Sequence, residues 1–357
     1  MVLYQLIFSS LFLGKDDGDY LFQPVDCPSS AKYAGYSGLN VGLFTNNSFR
    51  NTGLSLPMTR ALVDACNNAV TTNTWRGYKS ARKHLVDCAA HTGIRMTFPM
   101  AENQVLCLIA YLYAVRGLKG STVDNILSAV RMLHLCEGHP TPCLRPTAVT
   151  MAIKGFKNRD EEVGRGKTQR QPVTLKLLEL LYINLRMDRS RSRKLKSTVL
   201  AVATLAFFGG FRGGELISKT STRYDRNNSL LKQDIWLARV RVGGVEQEIV
   251  CVRLKSTKTC RSLNKGQVVE VFPNGTKICP VRCYKKYLRL HGTSRKDMPA
   301  FRTDVGWAFR MDEFNAILKE LLAEYVPYGK ITSHSFRCGL ASLLAENGFT
   351  DQEIQAP

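Results

Sequence analysis

Between residues 57 and 157, apolar positions recur every three or four residues, with breaks at Gly93 and Pro99, at 117–120 and at 138–146. That period is one face of a 3.6-residue helix, and the stretch predicts four or five helices. The helix around Trp75, Tyr78, Leu85 and Val86 carries an apolar stripe, and Arg76, Lys79, Arg82 and Lys83 alternate with it. The run 105–115 is apolar nearly all round, which predicts a central position. Ser121 and Thr122 stand where the N-cap of a helix over 121–135 is wanted, with Arg131 on its polar side. The pattern describes a helical bundle with one basic face.

Residues 158–171 hold Gly164 and Gly166 among Arg159, Arg165, Lys167 and Arg170 and almost nothing apolar, which predicts a linker. After Pro172, helical spacing over 175–185 and 195–208 stops at Gly209 and Gly210. Ile249, Cys251, Val252 and Leu254, then Val268, Val269, Val271 and Phe272, predict two β-strands bracketing a polar turn. Helical spacing returns over 279–290, 311–325 and 332–347. The expected organisation is a poorly ordered arm (1–54), a helical domain (55–157), a basic linker (158–171) and a second domain (172–357), mainly α with a small β-sheet.

Charge sharpens this picture. The 357 residues include 50 Lys and Arg against 29 Asp and Glu, a formal net charge of +21. A polyanionic partner is the simplest account, with a generically basic ribosomal or membrane-surface protein as the alternative. The arm 1–54 holds three basic and four acidic residues, so the positive excess belongs to the rest of the chain. Thirteen Lys and Arg against five Asp and Glu fall between 151 and 196. Such a connector either closes around a duplex or is a solvated tether.

No run reaches the ~18 apolar residues of a membrane span. The first thirteen residues are apolar but lack a basic leading region, so secretion is not expected. The eleven cysteines fall mostly in apolar helical patterns, which suits a reducing compartment inside the cell. His134, Cys136, His139 and Cys143 lack the paired spacing of a zinc site, and Cys279 with Cys283 has no second pair; no metal is expected.

Three separated stretches carry candidate chemistry. In 207–216, Phe-Phe-Gly-Gly-Phe-Arg-Gly-Gly-Glu-Leu, a helix ends at glycines, Arg212 sits in the turn, and Glu215 follows three residues later to orient the guanidinium. In 253–259, Arg-Leu-Lys-Ser-Thr-Lys-Thr, a strand runs into a hairpin turn bearing Lys255 and Lys258. In 332–339, Thr-Ser-His-Ser-Phe-Arg-Cys-Gly, a capped helix start projects His334 and Arg337 together, where the helix dipole favours an anion. The first two have plain structural alternatives, a capping ion pair and solvated edge charge.

The ordered trio of a G-F-R-x-x-E-L box, a hairpin S-T-K-T lysine and an H-S-F-R box, behind a basic helical region, resembles the tyrosine recombinases, the integrase class, over roughly 57–357. Among them it looks most like the forms carried by eukaryotic mobile elements. The resemblance implies a C-shaped, two-domain clamp on double-stranded DNA, built of a helical core-binding domain and an α/β catalytic domain. It implies DNA cleavage and rejoining through a 3′-phosphotyrosine without cofactors, assembly of four copies, and a nuclear location if the chain is eukaryotic. By position Arg212 and Arg337 match the phosphate-binding arginines, Lys258 the hairpin lysine with Lys255 as fallback, His334 the histidine, and Glu215 the acid supporting the first arginine. Arg76, Lys79, Arg82, Lys83, Arg165, Lys167 and Arg170 are the expected DNA-backbone contacts.

In the family a further His or Trp and the nucleophilic tyrosine follow the H-x-x-R box by roughly thirty residues. Twenty residues follow Arg337 here, so the sequence is expected to stop before the nucleophile. Tyr325 and Tyr328 precede the box, and no tyrosine is assigned. The alternative function is a non-catalytic DNA-binding remnant.

Overall fold

The computed structural model describes residues 48–49, 52–70, 72–139, 141, 145–166, 170–218, 226, 229–255, 267–292, 295–326 and 330–355. They fall into two compact units, one within Cys27–Lys167 and one within Thr168–Pro357. The protein is mainly helical, with one small antiparallel sheet in the second unit.

The helical unit comprises α1 (Leu56–Ala69), α2 (Thr72–Thr92), α3 (Glu102–Ala110), α4 (Gly120–Cys136) and α5 (Thr147–Glu162). Helix α2 buries Ala81, Leu85 and Cys88, while Val86 is 63% exposed. Leu85 and Tyr78 of the expected stripe lie on this inward face, whereas Val86, one position on, falls outside the i, i+4, i+7 spacing that shares it. Helix α3 continues into a π-helical turn, Tyr111–Val115, and buries Val105, Leu108, Ile109 and Leu112, as its apolar surround predicts.

Helix α4 starts one residue before Ser121, with Lys119 at the N-cap. Its first turn is capped from elsewhere: the buried Asp160 carboxylate accepts the Gly120 N–H at 2.6 Å. A Cβ at Gly120 would stand 2.8 Å from the Lys157 nitrogen, so this crossing of α4 and α5 requires glycine. Asp160 also explains why α5 runs to Glu162, into the segment expected to be linker: continuing the helix delivers the carboxylate that α4 lacks.

In the second unit, α6 (Leu175–Met187) and α7 (Arg193–Phe208) start at Thr174 and Ser192, whose hydroxyls accept from Leu177 N at 3.2 Å and Leu195 N at 3.1 Å. Every residue from Ser197 to Phe208 is buried, making α7 the central helix. After the short α8 (Gly213–Leu216), β1 (Ile235–Val242), β2 (Val245–Leu254) and β3 (Gln267–Val271) pair antiparallel in that order. Helices α9 (Pro280–His291), α10 (Met311–Leu321), α11 (Ser333–Glu346) and α12 (Asp351–Gln355) complete the unit. The buried aromatics Phe207, Tyr284, Phe309, Phe314 and Phe336 fill its core.

Strand β1 is absent from the sequence reading. Its signal was Gly243-Gly244 between two β-forming runs: φ values of 54° and 80° make this a two-residue hairpin joining Val242 to Val245. Among the described residues no helix is long and apolar enough to cross a membrane, and the eight cysteines form no disulfide.

Candidate functional site

The end of α7 creates the first half of the site. Gly210 takes φ +62°, which turns the chain so that Phe211 is buried and Arg212 emerges half-exposed. Arg212 is the N-cap of α8, and Glu215 binds it at two points. One Glu215 oxygen accepts the Arg212 backbone N–H at 2.7 Å, and the other accepts from the guanidinium Nη1 at 3.0 Å. The clamp is local in sequence and orients the guanidinium at the cost of a single side-chain donor.

The second half is the start of α11. Thr332 is its N-cap; the Ser335 hydroxyl accepts the Thr332 N–H at 3.1 Å, and Asn315 Oδ1 accepts the Ser333 N–H at 2.8 Å. An amide expected to face an anion is thus occupied by Asn315, which leaves side chains to supply more of any anion binding. His334 is exposed in this first turn. Arg337, one turn on, donates from Nη1 to the Gly210 carbonyl at 2.7 Å.

Two glycines permit the halves to meet. A Cβ at Gly213 would lie 2.3 Å from the Ser333 hydroxyl, so α8 and α11 touch through a position with no side chain. A Cβ at Gly339 would lie 1.8 Å from the Val173 carbonyl, and Val173 N donates to the Ser335 carbonyl at 2.9 Å. The start of α11 is therefore anchored on both sides, and Arg337 is held against the same turn, 210–213, that carries Arg212.

The lysines divide. Lys258 falls between β2 and β3 in sequence and lies outside the described residues. Lys255 Nζ is committed to structure: it pairs with Asp234 at 2.8 Å and donates to the carbonyls of Arg226 at 2.8 Å and Ser229 at 3.2 Å. Three partners use the three donors of an ammonium.

Of the expected backbone contacts, Arg76, Lys79, Arg82 and Lys83 are exposed along α2. Lys79 lies 5.7 Å from the Trp75 ring centre, and Arg82 pairs with Glu137 at 3.0 Å. Arg165 departs from the picture of a loose tether: it donates to the Gly117 carbonyl at 2.7 Å, sits 3.7 Å from Asp160 and covers the Tyr113 ring. Arg170 makes an isolated bridge with Lys330, and Lys167 lies outside the described residues. In the quartet weighed for a metal, His134 and Cys136 are buried in α4, with His134 edge-on to Phe98, and Cys143 lies outside the described residues.

Sequence reasoning missed Asn315 as a positioning group, because its partner is eighteen residues away and nothing local marks it. It also missed the contact of Gly213 with Ser333, for which the second glycine pair, 213–214, was the available signal.

No family model matches the chain, and no curated protein matches it. Among solved structures it is similar to the XerH site-specific recombinase bound to difH substrate, at 12% identity over 87% of this chain and 85% of that one, TM-score 0.46. It is similar to a lambda integrase dimer bound to a COC′ core site, at 16% identity over 85% and 93%, TM-score 0.46. It is also similar to the Tn1549 transposon integrase in complex with circular intermediate DNA, at 15% identity over 80% and 85%, TM-score 0.44.

Proposed function

We propose that this chain is a duplex-DNA-binding protein of the tyrosine recombinase family and that Arg212 and Arg337 hold one DNA phosphate. The observation that carries the reading is the meeting of two arginine boxes 125 residues apart in sequence: Arg337 is bonded to the Gly210 carbonyl, two residues before the Glu215-clamped Arg212. A cation pair gathered on one turn, with one carboxylate clamping Arg212 and both arginines partly exposed, suits a phosphodiester.

The chemistry follows from the residue types. Attack on a DNA phosphate by a hydroxyl builds charge on the non-bridging oxygens, and two guanidinium forks neutralise it. Glu215 positions Arg212. His334 assists proton transfer at the phosphate, and Lys258 protonates the leaving 5′ oxygen. The family's nucleophile is a tyrosine, which this reading does not assign. The positive charge of both units binds the flanking backbone.

The test needs no protein nucleophile. Nicked duplexes of randomised sequence, carrying a 3′-p-nitrophenyl phosphate opposite a 5′ hydroxyl, are mixed with the protein. The 5′ oxygen forms the new P–O bond, p-nitrophenolate leaves, and the hydroxyl proton passes to base. Joined strands and nitrophenolate should appear, and Arg212→Ala or Arg337→Ala should each slow joining by about 10²-fold or more. Joining that ignores both arginines would overturn the phosphate site. Separately, duplex affinity should fall more than about tenfold between 50 and 200 mM salt, because displaced counterions are recaptured.

A further inference from the structure

Helix α6 presents Tyr182, Ile183, Arg186 and Met187 along one outward stripe beside the turn at Gly275–Ile278. Together with Lys277 and Arg282 they line a groove of about 730 Å³. An adjoining recess of about 210 Å³ shares Tyr182, Lys277 and Arg282 and adds Lys286. Neither includes a residue of 210–216 or 332–340.

Two features of this groove call for an occupant. Ile183 is 50% exposed and Met187 76%, one helical turn apart, so an apolar strip faces solvent. Around it stand Arg186, Lys277, Arg282 and Lys286, with Glu179 as the one carboxylate in the lining. The neighbouring Lys285 is neutralised by Glu248 at 2.6 Å, whereas these four cations form no salt bridge among the described residues.

A nucleic-acid backbone would use the cations and waste the apolar strip. A segment both acidic and apolar uses both. This chain contains one: ten of its first thirteen residues are apolar, Asp16, Asp17 and Asp19 follow directly, and residues 1–26 hold four aspartates against one lysine. We infer that residues 1–26 dock in this groove, with apolar side chains of the leading run on Ile183 and Met187 and the aspartates against Lys277, Arg282 and Lys286. Covalent continuity raises the effective concentration of such a weak contact without further interface. The inference is independent of the DNA reading.

Two measurements on the full chain test it. Zero-length carbodiimide coupling should join Asp16, Asp17 or Asp19 to Lys277 or Lys286, identified by mass spectrometry; arm crosslinks found only elsewhere would overturn the docking. Peroxide oxidation of Met187 should be severalfold slower in the full chain than in a chain beginning at Cys27. Should that shortened chain fold poorly, Asp16→Lys with Asp17→Lys and Asp19→Lys in the full-length chain should speed Met187 oxidation equally. Equal rates in all variants would sink the proposal. So would protection of Met187 by DNA in the shortened chain with no protection by the arm, which would give the groove to nucleic acid.

Discussion

Arg212 with Glu215 and Lys255 with Asp234 are cation–carboxylate pairs of nearly equal length, 3.0 and 2.8 Å, in the same unit, yet they are built for different ends. The Arg212 side chain is 32% exposed and gives Glu215 one donor of its guanidinium. The Lys255 side chain is 15% exposed, its partner carboxylate 4%, and two carbonyls take its other donors. A guanidinium clamped at one corner is oriented and still able to receive an anion. An ammonium with three partners is a strut. The pair distance distinguishes nothing; the donors left over do.

Changes on either side should separate the two roles. The largest stability effect is expected at the strut: Lys255→Met leaves the buried Asp234 carboxylate without its cation and should cost about 3 kcal/mol, read by urea denaturation followed at Trp236 fluorescence. A loss under 1 kcal/mol would mean that the Leu231 N–H, which donates to Asp234 at 2.9 Å, suffices for that carboxylate. Next is Gly213→Ala, whose methyl must push α8 from Ser333, at an expected cost of about 2 kcal/mol together with a loss of strand joining. Full joining by this variant would show that the closeness of the two boxes is incidental.

Arg212→Ala should destabilise by no more than about 1 kcal/mol, since the clamp is partly exposed and screened, while joining collapses. Equal collapse of stability would make it a second strut. The smallest effect is expected at Arg165→Ala, about 0.5 kcal/mol from the helical unit, measured at Trp75. If that substitution instead flattened the salt dependence of DNA binding with stability intact, Arg165 would be a backbone contact after all.

Local features were legible wherever a short stretch determines its own geometry. The breaks at Gly93, Gly117 and Gly209, the β2–β3 pairing and the Arg212–Glu215 spacing all follow from backbone rules operating within a few residues. The strand β1 is legible too, through Gly243-Gly244 and the alternation Arg239-Val240-Arg241-Val242 before it. The misplaced cap at Ser121 has a different origin. Two good capping residues stood at the right place, but Asp160, forty residues on, satisfied the helix end one position earlier.

That contrast marks the division of labour. Sequence by itself determined the period of each helix, the basic excess outside the arm, and which residue types could meet a phosphate, because these depend on side-chain chemistry and near-neighbour spacing. Only the tertiary structure decided that Arg337 turns to the Gly210 carbonyl, that Asn315 occupies an amide of α11, that Lys255 is spent on Asp234, and that α6 turns Ile183 and Met187 outward. Each of those outcomes is a competition among distant groups for one donor, one acceptor or one patch of surface, and the winner is set by which backbones can approach, something that glycines at 213 and 339 permit but do not announce.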